Sequence, residues 1–183
     1  IHREGQAARA VVEKSRRDLA IALCCNPEEV IFTSSGSESN NMVLKGVLRD
    51  GDHLITSSYE HPSILKTLPY LQEEGVEFSL VKPDKNGIVQ PEAVEKEIKK
   101  NTRLISIMYV NNELGTINPI SEIAHISHEK EILFHSDAVQ ALGKIELDVN
   151  NILADFLSMS AHKIYGPKGV GALFIRKGAT LQP

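Results

Sequence analysis

The stretch SMSAHKIYGPKGVGALF, residues 158–174, sets a lysine inside a turn of small residues between two apolar runs. Most lysines stand on solvated helix faces or loops, because an ammonium loses its hydration on burial. Lys163 instead follows DFLSMS (155–160), which reads as a buried strand, and precedes a glycine-rich turn and a second strand, GALFIRK (171–177). The end of a central strand is where open α/β sheets bind ligands. This stretch therefore predicts a layered sheet with a site at its edge.

Outward from it, helical patterns and short β-rich runs alternate along the chain without a low-complexity linker or an internal repeat. That alternation predicts one α/β domain spanning residues 1–183, three-layer α/β/α, with a mostly parallel mixed sheet. The periodicity predicts helices over 3–23, from Ser37, over 62–74, after Pro91, and from Pro119 or Ser121 to Lys130. Strands are predicted at 29–33, 53–57, 76–81, 103–110, 132–136, 155–160 and 171–177. The polar stretches SSGSESNN, SSYEHPS, VNNELGT, SDAVQ and SAHK each follow one of these strands, so a parallel sheet carries them to one edge.

Composition narrows the classes. A chain of 183 residues buries about 70% of its unfolded surface, enough for a core. Its net charge of −4 and the absence of any basic run longer than two residues argue against nucleic acid as a partner. No stretch approaches the ~18 apolar residues of a membrane span, and no leader opens the chain, so the sequence reads as cytoplasmic. Cys24 and Cys25 are adjacent, which suits a reducing compartment rather than a disulfide framework. Both ends fall within the periodic pattern, so the chain reads as a piece of a longer one.

Taken singly, the polar residues have ordinary readings. Gly36, Ser37 and Ser39 lie where a strand gives way to a helix, an anion-ready turn that is also a plain helix start at Ser37 and Glu38. His61 precedes Pro62 and opens a helix; Asn112 turns the chain. Asp137 and Gln140 share a face if a helical turn begins there, and Asp137 alone reads as a cap. His125 and His128 lack the HExxH arrangement and read as solvated, so no metal site is expected. Together, an anion turn, a ring at His61, an amide at Asn112, an acid at Asp137 and a lysine preceded by Ser160 and His162 describe a pocket for pyridoxal phosphate. That cofactor needs an anion site, a stacking group, a carboxylate at its ring nitrogen and a lysine.

FTSSGSESNN, SYEHPSI, YVNNELGTINPI, FHSDAVQALGKIELDV and SMSAHKIYGPKGVGALFIRKG resemble, in order, motifs of the cysteine desulfurases, pyridoxal-phosphate enzymes of fold type I within the class V aminotransferases. The resemblance implies that residues 1–183 are a partial cofactor-binding large domain, with the small domain beyond. It implies that Lys163 carries the cofactor, with His61 stacking on the ring and assisting proton transfer. By the same resemblance Asp137 holds the ring nitrogen, Asn112 and Gln140 address the phenolic oxygen, and Gly36, Ser37, Ser160 and His162 shape and hold the phosphate site. SSGS departs from the family's small-residue-then-Thr wording. The implied reaction takes sulfur from L-cysteine, leaving alanine and a persulfide for iron-sulfur cluster assembly or other transfer, in a homodimer that meets a scaffold or other acceptor protein. The family's nucleophilic cysteine and substrate-binding arginine fall after this chain, and Cys24 and Cys25 are expected to be packed and not to carry sulfur. The alternatives are a related enzyme such as a selenocysteine lyase, or an inactive module serving as a protein-binding surface.

Overall fold

The apolar runs become seven strands in a computed structural model that describes residues 2–182. They are β1 (Val30–Thr33), β2 (His53–Ser57), β3 (Glu77–Val81), β4 (Thr102–Ser106), β5 (Leu133–Asp137), β6 (Phe156–Ser160) and β7 (Gly171–Ile175), in the spatial order β1-β7-β6-β5-β4-β2-β3. β7 runs antiparallel to both neighbours, and every other pairing is parallel. The carboxyl ends of β1, β2, β4, β5 and β6 consequently share one edge.

Among the described residues seven α-helices cover the sheet: α1 (Arg3–Leu23), α2 (Gly36–Val47), α3 (Pro62–Leu65), α4 (Leu68–Glu73), α5 (Pro91–Lys96), α6 (Ile120–Glu129) and α7 (Val149–Ile152). Successive strand residues point to opposite faces. Leu54, Leu104, Phe156 and Leu173 pack with Val43, Leu44, Ile64 and Leu71 of α2 to α4. Their chain neighbours Ile55, Ile105, Leu157 and Phe174 pack with Leu23, Val94 and Ile123 of α1, α5 and α6. The sheet is buried on both faces, which is why its central strands read as continuous apolar runs rather than alternating ones.

Two predicted elements and one side-chain reading differ. The helix expected over 62–74 is two helices, because Pro69 has no N–H for the carbonyl of Leu65. The strand expected to reach residue 110 leaves the regular ladder after Ser106, although Ile107 N still donates to His135 O at 3.1 Å and Tyr109 N to Asp137 O at 3.0 Å. Of the two helix histidines, His125 is exposed beside Glu129, but His128 Nε2 lies 3.1 Å from Asp155 Oδ2, which also accepts from Phe134 N at 2.7 Å. His128 thus helps tie α6 to the start of β5 and β6, more than a solvated histidine does.

The two cysteines also separate. Cys24 caps α1 in a left-handed conformation, φ 56°, and is exposed, contrary to the expectation that both are packed. Cys25 packs against the core, and burial, aided by Glu29, pushes its thiol up to about 11.

Gly171 opens β7 directly beneath the turn between β1 and α2. A Cβ there would stand 2.5 Å from the Ser35 carbonyl carbon and 2.7 Å from Thr33 Oγ1, so the backbone itself leaves no room. Gly171→Ala is expected to cost about 1–3 kcal/mol. The corresponding fall in Tm, at least ~2 °C for a chain of this size, is read by thermal unfolding, and an unchanged Tm would show that the turn moves freely.

Candidate functional site

Gly36, Ser37, His61, Asn112, Asp137, Gln140, Ser160, His162 and Lys163 all line one cavity of about 190 Å³ at the shared strand edge. Ser35, Asn40, Ser63, Met108 and Val139 complete its wall. Residues far apart in sequence meet here because each follows a strand that ends at this edge.

The turn from β1 into α2 is shaped by Ser35 and Glu38. Ser35 Oγ accepts from Glu38 N at 3.1 Å, while the Glu38 carboxylate accepts from Ser34 N at 2.5 Å, a reciprocal capping arrangement. The cap therefore belongs to Ser35, and Ser37 is left exposed at the cavity. Among the described residues no protein acceptor meets the N–H groups of Gly36 and Ser37, which stand at the positive end of a 12-residue helix. Gly36 is needed for close approach, since a Cβ there would fall 2.5 Å from Val139 Cγ2. Beside this turn, where a Cβ on Gly36 would lie 3.6 Å from Ser160 Cβ, Ser160 Oγ and His162 Nδ1 are 2.8 Å apart. These groups together can hold a dianion.

The dipeptide Asn111-Asn112 divides two tasks that sequence alone assigned to one residue. Asn111 is buried and turns the chain: its Oδ1 accepts from Glu113 N and Leu114 N, and its Nδ2 donates to Tyr59 O at 3.1 Å. Asn112 is exposed to the cavity. Also lining the cavity, Gln140 accepts at Oε1 from Lys144 Nζ at 2.6 Å, which leaves its amide nitrogen for a ligand. Lys163 lies on the single turn Ala161–Ile164 after β6, exposed at the cavity.

Asp137 ends β5 and is buried. Its Oδ1 accepts from Val139 N at 3.0 Å, so it does cap the following turn, and its Oδ2 accepts from Asn40 Nδ2 at 2.7 Å. Burial pushes its carboxyl up, while the donors from Asn40 and Val139 oppose that shift. A cation in the cavity would favour the carboxylate form further.

Of the cavity residues that sequence did not mark, Asn40 and Ser63 carry hydrogen bonds to marked ones, and behind the wall stands a third unmarked residue, Glu60. Asn40 follows Gly36 by one helical turn and so shares its face of α2, a spacing that points to it. Glu60 is fully buried; its Oε1 accepts from Ser57 Oγ at 2.5 Å and from Met108 N at 3.0 Å, while Oε2 has no partner. Nothing in the sequence distinguishes this glutamate from a surface one. It ties the loop that carries His61 to the segment that follows β4.

Burial, with Asp137 adding to it, moves the Glu60 carboxyl from its ordinary 4.5 up to about 8. A folded value above the unfolded one means that the native state keeps a proton the unfolded chain gives up. Stability from this group is thus full below about pH 4.5 and is lost as pH rises toward 8. Glu60→Gln keeps an acceptor for Ser57 and Met108 without titrating. Urea unfolding across that range is expected to show stability falling in the parent and a flatter profile in the variant. Parallel profiles would mean that Glu60 does not titrate with folding.

His135, two residues before Asp137, is held between Ser106 Oγ at 2.8 Å and Ser158 Oγ at 3.0 Å. Burial pushes its imidazole down to about 3, so it stays neutral and serves to pin β4, β5 and β6 together.

Among the described residues no helix is long and apolar enough to cross a membrane. The family model described as aminotransferase class-V matches residues 1–183. The chain is 46% identical over 187 residues to a cysteine desulfurase IscS of Dictyoglomus turgidum, covering all of this chain and 48% of that protein. It is 49% identical over 182 residues to a mitosomal cysteine desulfurase of Encephalitozoon cuniculi, covering 96% and 42% of the two. A solved structure titled "SspA in complex with cysteine" superposes with a TM-score of 0.95 at 40% identity, over all of this chain and 55% of that one. The chain spans about half the length of the curated relatives it matches. Seven strands in this order, a cavity at their carboxyl edge and a match along the whole sequence lead to one assignment: the chain belongs to the class-V aminotransferase family.

Proposed function

We infer that the full-length protein is a pyridoxal-phosphate-dependent cysteine desulfurase and that residues 1–183 are part of its cofactor-binding large domain. The observation that carries this reading is the meeting of Lys163, Asp137 and the open N-terminus of α2 in one cavity. The residues suit the cofactor. A helix N-terminus with two uncommitted N–H groups, flanked by Ser160 and His162, suits its phosphate; a buried carboxylate suits its ring nitrogen; an exposed amine suits its aldehyde. When bound, the cofactor supplies an electron sink for charge left on the substrate carbon.

The chain's own residues divide the rest. Gly36, Ser37, Ser160 and His162 would bind the anion, Asp137 would keep a proton on the ring nitrogen, and Asn112 and Gln140 would offer amides to the ring's oxygen. His61 would pack against the ring, and Lys163 would provide the amine that anchors the cofactor and moves the substrate proton. Overall, L-cysteine and an enzyme thiol give alanine and an enzyme persulfide, a transfer that balances without an added oxidant. We further propose that the protein works as a cytoplasmic homodimer that passes sulfur to an iron-sulfur scaffold or another acceptor protein.

The test uses the full-length protein. Incubation with L-cysteine is expected to release alanine, and borohydride reduction followed by peptide mapping is expected to place a phosphopyridoxyl group on Lys163. A label on Lys168, or on no lysine, would overturn the assignment.

A further inference from the structure

The two ring nitrogens of His61 meet different surroundings. Ser63 N lies 3.1 Å from Nδ1 and Ser63 Oγ lies 2.8 Å from the same atom. A backbone N–H can only donate and cannot rotate away, so Nδ1 is an acceptor and carries no proton in the neutral ring. The Ser63 hydroxyl, facing that lone pair, must then donate as well.

Asn40 sets the hydroxyl's direction. Its Nδ2 lies 2.9 Å from Ser63 Oγ and 2.7 Å from Asp137 Oδ2, so both amide hydrogens are committed. With Asp137 ionised, as a cation in the cavity favours, the reverse amide orientation would bring Oδ1 against an oxygen that only accepts. The cost of the observed orientation is visible, since Asn40 Oδ1 is buried without a partner among the described residues. One directed chain thus runs from Asn40 to Asp137 on one side and through Ser63 to His61 on the other.

We propose that Asn40 and Ser63 are positioning residues that hold His61 as the neutral tautomer with its proton on Nε2, so that the imidazole serves the cavity as a hydrogen-bond donor. A neutral imidazole accepts a proton only at its bare nitrogen, and here that is Nδ1, already occupied by two donors from Ser63. His61 therefore does not remove the substrate proton. That task falls to Lys163, which is exposed on the same cavity. The tautomer itself follows from the protein's own hydrogen bonds; only its meaning for catalysis rests on the desulfurase reading.

The experiment is long-range 1H–15N correlation spectroscopy of the full-length protein labelled with 15N-histidine, at pH 8, with and without pyridoxal phosphate. The His61 signals are those that vanish in His61→Gln. The expected pattern is an unprotonated-type Nδ1 and a protonated-type Nε2. Ser63→Ala removes one donor and is expected to move the Nδ1 resonance toward that of a free acceptor, and Ser63→Thr, which restores a hydroxyl, is expected to return it. A protonated-type Nδ1 in the parent protein would overturn the proposal, and so would a Ser63→Ala variant whose Nδ1 resonance does not move. An inverted tautomer with cofactor still labelled at Lys163 would refute this proposal alone. The expected tautomer without label at Lys163 would refute the functional reading alone.

Discussion

Lys163→Ala in the full-length protein is expected to lower alanine formation from L-cysteine on the order of 10⁴-fold, the upper end for loss of a positioned acid–base group that here is also the covalent anchor. The borohydride-stable label should disappear with it. Folding should be retained, because Lys163 is exposed and its side chain makes no hydrogen bond or ion pair among the described residues. The control is Lys168→Ala, five residues further along the same loop and not part of the cavity wall, which is expected to keep both activity and label. Retained turnover in Lys163→Ala, or its loss in Lys168→Ala with label intact, would place the chemistry elsewhere.

Asp137→Asn is the second large effect, expected to reduce turnover by about 10²–10³-fold, the range for removing one group that stabilises developing charge in a buried site. The substitution keeps the shape of the side chain and removes its charge. It also converts one of two committed acceptors into a donor facing either Asn40 Nδ2 or Val139 N, at a stability cost of about 1–3 kcal/mol. The electrostatic part can be read separately. Burial pushes the Asp137 carboxyl up, and a protonated ring nitrogen beside it would bring it down. Pyridoxal phosphate is therefore expected to raise Tm more in the parent than in the variant. An equal rise with unchanged turnover would reduce Asp137 to a cap for the turn at Val139.

The fold was largely legible because hydrophobic period and chain punctuation are local. The bounds of α1 and β2 agree with those predicted, and the strand ends at Thr33, Asp137 and Ser160 agree within a residue. The break at Pro69 was written in the sequence but was hidden by an apolar pattern that runs through it. The short helix α7 was missed because a single turn capped by Asp148 leaves too few residues for a period to show.

The sequence by itself determined which residue types stand after each strand, and a parallel sheet leaves them only one edge on which to gather. That is enough to bring Lys163, Asp137 and the Gly36-Ser37 turn together, since strand direction decides which loops meet. Tertiary structure alone decided how neighbouring residues share the work: Ser35 rather than Ser37 as the cap, Asn111 rather than Asn112 as the turn, and Cys25 packed while Cys24 is exposed. It alone revealed the buried acid at Glu60 and the path from Asp137 through Asn40 and Ser63 to His61. The physical reason is range. Backbone period is set within a few residues, whereas a hydrogen-bond direction or a buried charge depends on atoms that only the packed sheet brings within about 3 Å.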